Sequence, residues 1–164
     1  MNRVLIIIGS ASDLDKIAPC GKILDELGIS HSLTASSAHR TPDRTINLVS
    51  EAEKNGVEVF ICAAGMAAHL AGAVAAHTIK PVIGIPVSGS ALCGMDALFS
   101  TVQMPSGFPV ATVALDKAGA ANAAWLAAQI LALNDTELAY RIKQARKKME
   151  EKVIKSAENI EKNN

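Results

Sequence analysis

Four short segments of this chain carry residue types able to do chemistry near neutral pH. The first, Gly9-Ser10-Ala11-Ser12-Asp13, places two hydroxyls and a carboxylate directly after an apolar run. Gly9 permits a tight turn, and the amides after it face a helix start suited to a phosphate. Taken alone, the loop is better explained as ordinary helix capping by Ser12 or Asp13. It holds neither Gly-x-Gly-x-x-Gly nor a Gly-Lys-Ser/Thr run, so neither dinucleotide nor P-loop chemistry is indicated. The second segment, Ser36-Ser37-Ala38-His39-Arg40-Thr41-Pro42, sets a proton-transfer candidate beside a permanent cation. A histidine exchanges protons near neutrality, so His39 suits general acid or base work. Arg40 offers a fork-shaped partner for phosphate or carboxylate. The third, residues 63–70, reads Ala-Ala-Gly-Met-Ala-Ala-His-Leu. Its small residues allow a ligand close to the backbone. His69 is either a polar group at a helix start or part of a site. The fourth, residues 86–96, is a long loop suited to lining a pocket.

These segments gain meaning from the elements that must hold them. Short β-branched runs alternate with helix-length stretches, the pattern of βαβ units around a parallel sheet. Strands are expected at residues 3–8, 30–35, 58–63, 82–85 and 109–115. Helices are expected at 13–27, 42–55, 67–78 and from Lys117 onward. Gly28 and Asn55-Gly56 act as stops, and Pro42 suits a helix start. Nearly continuous apolar strands demand a sheet covered on both faces. The expected fold is therefore α/β: a flavodoxin-like three-layer sandwich with a central parallel sheet. In such sheets ligands bind outside the carboxyl ends of the strands, which is where all four segments fall. Residues 135–164 read as one long C-terminal helix, with Leu138, Ile142, Ala145, Met149, Val153 and Ile154 at helical spacing. It either packs on its own domain or reaches over a neighbouring subunit. The whole of residues 1–164 reads as a single domain.

Composition narrows the function classes. The 164 residues include 16 Lys+Arg and 16 Asp+Glu, for zero formal charge. That balance excludes a protein that coats nucleic acid, which needs a basic excess. Aromatics at 3% leave no base-stacking platform. The uncharged stretch 118–133 is shorter than the roughly 20 residues of a membrane span. No signal peptide is read at the start, where residues 4–8 form a strand-length run. Cys20, Cys62 and Cys93 are odd in number and widely spaced, which argues for a reducing cytoplasm. Cys20 and Cys62 read as buried, inert thiols, whereas Cys93 is a nucleophile on paper only. His31 and His77 read as structural, and the four histidines show no metal-ligand spacing.

Five ordered motifs then carry a family resemblance. Gly-Ser-x-Ser-Asp, Ser-Ala-His-Arg-Thr-Pro and Ala-Gly-x-Ala-Ala-His-Leu follow the first three strands. Val-Gln-Met-Pro-x-Gly-x-Pro-Val stands at 102–110 and Ala-Gly-Ala-x-Asn-Ala-Ala at 118–124. Together, over roughly residues 4–133, the chain resembles the N5-carboxyaminoimidazole ribonucleotide mutases of purine biosynthesis. These are also named class I catalytic subunits of phosphoribosylaminoimidazole carboxylase. Met66 departs from the Gly common in the family, Ala71 from the Pro after His-Leu, and Cys93-Gly94-Met95 from the usual loop.

The resemblance implies an isomerase that moves a carboxyl group reversibly from the N5 carbamate to ring carbon C4, without cofactor or metal. CO2 is released and trapped beside the aminoimidazole before C4 captures it. His39 matches the acid/base position, and His69 sits in the segment closing over base and CO2. Ser10, Asp13 and Arg40 match nucleotide-binding positions, with Asp13 toward the ribose and Arg40 toward the phosphate. Ser12 and Ser37 assist, and Ala38, Gly65, Ala67 and Leu70 complete the substrate-binding set. The resemblance further implies a homo-octamer with sites completed by neighbours. A related class carboxylates aminoimidazole ribonucleotide directly with CO2, a carboxy-lyase chemistry. The Ala-Ala-His-Leu pattern favours the mutase. A non-catalytic nucleotide-binding module is the remaining alternative.

Overall fold

The computed structural model describes residues 1–162. Five parallel strands form one sheet in the order β2-β1-β3-β4-β5. They are β1 (Val4–Ile8), β2 (His31–Ala35), β3 (Val59–Gly65), β4 (Val82–Val87) and β5 (Ala111–Thr112). The helices are α1 (Leu14–Glu26), α2 (Pro42–Lys54), α3 (Leu70–Ala75), α4 (Met95–Val102), α5 (Asp116–Leu131) and α6 (Thr136–Lys162). This is the flavodoxin-like three-layer arrangement, with its chain reversal between β1 and β3. The last two residues of the expected 135–164 helix, Asn163 and Asn164, lie outside the described residues.

The sheet separates two apolar layers because successive side chains on a strand point to opposite faces. Val4, Ile6 and Ile8 join α1, α5 and the start of α6 on one side. Leu5 and Ile7 join α2 and α3 on the other. All five β1 residues are buried, as a strand covered on both faces requires. The α1–α5 contact is close because α5 presents Ala120, Ala123, Ala124, Ala127 and Ala128, all fully buried. The uncharged run that resembles a short membrane segment is this packing face. Among the described residues no helix is long and apolar enough to cross a membrane.

Several elements differ from expectation, among them β3, which runs to Gly65 rather than ending at Ala63. The helix expected over 67–78 begins only at Leu70 and ends at Ala75. Met66 takes a left-handed φ of 55°, and tight turns at Ala68 and His69 occupy the intervening residues. His77 therefore lies beyond the helix rather than late within it. Strand β4 runs through Pro86 to Val87, past the expected stop. Val113 N–H donates to Gly84 O, so alternate residues of β4 aim their polar groups toward β5. Pro86 stands two residues beyond Gly84, where β5 has already ended, and its missing N–H breaks no ladder bond. Strand β5 itself keeps two of its expected seven residues. Helix α4 overlaps the end of the expected 86–96 loop and runs on through residues to which no element was assigned; it starts after left-handed Gly94 without a side-chain cap, so no start signal marks it.

Polar ties close the far end of the sheet. Arg3 pairs with Glu58 at 2.6 Å and with Asp135 at 2.7 Å. Asp135 also accepts the Leu138 amide, capping α6, and this bond with Arg3 holds its carboxyl below the usual aspartate range. Arg141 Nε donates to Leu27 O, tying α6 to the end of α1 where left-handed Gly28 turns the chain. Leu138 and Ile142 bury against the domain. From Arg146 to Lys162 every residue is exposed, about 25 Å of helix.

The alanine face leaves no room for larger groups. Ala124→Leu should cost about 1–3 kcal/mol by overpacking, read as a lower midpoint in urea unfolding. The same change at exposed Ala157 should stay within about 0.5 kcal/mol.

Candidate active site

The parallel register sets Ile8 level with Ala35 and Ala63, and Ala63 level with Ile85. The loops after β1, β2, β3 and β4 therefore leave the sheet from one row and surround a cleft of about 770 Å3. Every residue expected in the site lines this cleft: Ser10, Ser12, Asp13, Ser37, Ala38, His39, Arg40, Gly65, Ala67, His69 and Leu70. It sits beside the β1/β3 reversal, where a flavodoxin-like sheet opens a crevice.

The first loop is a single 310 turn over Ala11–Asp13. Ser10, rather than Ser12 or Asp13, supplies its cap: Ser10 Oγ accepts from Ser12 N–H at 3.3 Å and from the Ser12 hydroxyl at 2.8 Å. Asp13 precedes α1 yet makes no side-chain cap bond. Capping is thus handled by one serine, and the Asp13 carboxylate is left facing the cleft. Partial burial raises its pKa, against the lowering effect of the Ser12 hydroxyl and nearby Lys16.

In the second loop, Ser36 is buried and shared between Thr41 at 3.2 Å and Thr45 at 2.9 Å. Ser37 Oγ accepts the Arg40 amide at 3.2 Å, and Thr41 Oγ1 accepts the Ser37 amide at 2.9 Å. These bonds fix the backbone and leave the Ala38-His39-Arg40 tip outward. The Arg40 guanidinium makes no hydrogen bond or ion pair with any described residue, so it is available for an anion.

The third loop completes the chemistry. His69 occupies the cap position of α3 without capping it. Its Nδ1 instead lies 2.8 Å from Nε2 of His39. The ring centroids are 4.9 Å apart with planes at 75°, an edge-on pair. A hydrogen bond between two ring nitrogens needs one N–H and one lone pair, so one ring is donor and the other acceptor. The alternative of His69 as a simple cap group is thereby set aside. At Gly65 a side chain would stand 2.9 Å from Val87 O, which explains the small residue where β3 passes β4.

Sequence reasoning missed Lys16 and Asp116, and placed Ser88 and Gly89 only within a long loop. Lys16, Ser88 and Gly89 line the cleft. Lys16 Nζ donates to Ser88 O at 2.5 Å and Ser88 Oγ at 2.8 Å, and lies 3.2 Å from Asp116 Oδ1. The only forward signal was Lys16 standing three residues after Asp13, hence on the same side of the helix start. Cys20 and Cys62 are buried, and burial pushes the Cys20 thiol up to about 12 and the Cys62 thiol further. Cys93 is exposed. Among the described residues no three His, Cys, Asp or Glu side chains converge as metal ligands.

The raised Asp13 has a consequence for stability. Burial favours the protonated carboxyl, so the folded chain holds that proton to higher pH than the unfolded chain. Stability from this group is thus full at low pH and lost as pH rises through its folded value. Asp13→Asn should raise the thermal midpoint at pH 7, with the gain fading below about pH 4. Melting curves at both pH values check this, and an unchanged midpoint at pH 7 would contradict it.

The AIR carboxylase family model matches residues 3–152. The N5-carboxyaminoimidazole ribonucleotide mutase of Escherichia coli strain K12 is 49% identical over 154 residues, covering 94% of this chain and 91% of its own. Its Thermotoga maritima counterpart is 49% identical over 161 residues, covering 98% and 93%. The Bacillus subtilis mutase is 46% identical over 155 residues, covering 94% and 96%. Among solved structures, Treponema denticola PurE matches with a TM-score of 0.86 at 29% identity, covering 95% and 96%. A 3-dehydroquinate dehydratase-like protein from Bifidobacterium longum, at 15% identity and TM-score 0.51, shares the fold alone. The ordered loops, the cleft they enclose and these full-length similarities agree: the chain is a member of the AIR carboxylase family.

Proposed function

We propose that this protein is an isomerase of purine biosynthesis, interconverting N5-carboxyaminoimidazole ribonucleotide and 4-carboxyaminoimidazole ribonucleotide. The relatives at 46–49% identity bear the name of that mutase. The observation that carries the mechanism is the 2.8 Å bond between His39 and His69 at the mouth of a small-residue cleft. His39 begins protonated on both ring nitrogens: Nε2–H donates to His69 Nδ1, and the second N–H faces the substrate as the proton to be transferred. His39 gives that proton to N5 as the carbamate C–N bond breaks and CO2 departs. Ring C4 then forms a bond to the CO2 carbon. His39 recovers a proton from C4 as the ring regains aromaticity, so the pair ends as it began. His69 orients the ring and offers its lone pair to the protonated state.

The remaining residues bind and confine. Asp13 is suited to ribose hydroxyls and free Arg40 to the phosphate, with Ser10, Ser12 and Ser37 adding hydroxyls or amides. Ala38, Gly65, Ala67 and Leu70 let base and CO2 sit close to the backbone, since a freed gas molecule must be held until C4 captures it. The chain works as a homo-octamer in the cytoplasm. Support comes from Met149, Val153 and Ile154, an apolar stripe left exposed on α6, and from three unpaired thiols.

Purified protein mixed with the N5-carboxylated nucleotide, without ATP, should form the C4-carboxylated product. His39→Asn should lower that rate about 10²–10⁴-fold while the fold is kept. Turnover of aminoimidazole ribonucleotide with bicarbonate, but not of the carbamate, would shift the assignment to direct carboxylation. Wild-type rates in His39→Asn would reject the proton-transfer role. Light scattering should return a mass near eight chains, and a monomer would refute the octamer.

A further inference from the structure

Two residues tied to the cleft wall are poor local choices: Lys16, which lines it, and Asp116, which reaches it through Ser88. Lys16 stands in the first turn of α1, where a cation opposes the helix dipole. Asp116 opens α5 at a left-handed φ of 53°, a conformation that costs an L-residue energy. Each is satisfied by the other and by Ser88. Ser88 N–H donates to Asp116 Oδ1 at 2.9 Å and Ser88 Oγ–H to Asp116 Oδ2 at 2.5 Å. Lys16 donates to the Ser88 carbonyl and hydroxyl and pairs with Asp116. Burial alone would raise the Asp116 carboxyl, but the Ser88 bonds and Lys16 outweigh it and hold it low. The Ser88 peptide is thus gripped at both its N–H and its C=O. The next residue, Gly89, has a φ of 150° and no atom within 4 Å of where a side chain would begin, so nothing beyond the grip packs against the chain there. Locally unfavourable residues that satisfy each other beside a cleft are expected where function sets the geometry.

We propose that Lys16, Ser88 and Asp116 form a positioning clamp that joins the starts of α1 and α5 to the loop after β4. The clamp holds Ser88 and Gly89 as the wall of the cleft that confines CO2 between its release and its capture. None of the three exchanges a proton with the substrate; they act through the wall they hold. The proposal rests on the mutase reading for the identity of the confined molecule, and on geometry alone for the clamp.

Two variants test it. Lys16→Met keeps the aliphatic stem and removes the donors. Asp116→Gly removes the acceptors and also relieves the left-handed strain, so it should fold at least as well as the parent. Each should lower kcat/KM about 10- to 100-fold, the range of a lost charged hydrogen bond. Each should also raise the share of carbamate released as decarboxylated aminoimidazole ribonucleotide, with the melting midpoint of Asp116→Gly unchanged or higher. The double variant should be no worse than either single one, because they break one device. Hydrogen exchange of peptides covering residues 88–92 should quicken about tenfold in both, whether or not turnover is measured. Wild-type leakage together with unchanged exchange would overturn the clamp even where the parent converts substrate. Absence of conversion in the parent would instead count against the mutase reading, leaving exchange to decide the clamp.

Discussion

The site depends on one constraint above all: the strands run parallel and in register, so their carboxyl ends finish in a single row. Ile8, Ala35, Ala63 and Ile85 stand level across four neighbouring strands. With strands about 4.8 Å apart, that row spans roughly 14 Å, the scale of a nucleotide monophosphate. The His39–His69 bond joins loops from β2 and β3, which are not neighbours; β1 lies between them. The two loops must therefore arch over the end of β1 to meet. Small residues at Gly9 and Ala64 leave the space beneath that arch.

Backbone strain is collected at the same edge. The three non-glycine residues at positive φ among those described are Met66, Cys93 and Asp116. They follow β3, β4 and β5 respectively, and none lies at the opposite end of the sheet. The family resemblance implies Gly where Met66 stands, and Met66's left-handed backbone is one that Gly takes without strain. With Met66 in this backbone, Ala67 and His69 both reach the cleft.

What the sequence disclosed and what it withheld follow from the range of each interaction. Strand β1, α2 and the loops after the first three strands were legible because local patterns fix them: an apolar run, Pro42 at a helix start, Gly28 as a stop. The cleft-lining role of Ser10 through Leu70 was legible because strand order makes those loops converge. Helix α4 was hidden by its glycine start. The shortness of α3 was hidden because a left-handed Met66 leaves no mark in composition. The Lys16–Asp116 pair spans a hundred residues, and nothing local to either end announces it.

One asymmetry of the chain has a consequence for how the molecule is made. The residues expected to handle substrate lie between Ser10 and Leu70, in the first half of the chain. The face of α1 that supports them is covered by α5, which comes much later. A chain emerging from the ribosome thus presents its chemistry before its shelter. Until the alanine helix arrives, Ile17, Cys20 and Leu24 have the strand side of their layer but lack its α5 cover. The interval between residue 70 and residue 131 is accordingly the period when a nascent chain is most open to chaperones or to aggregation.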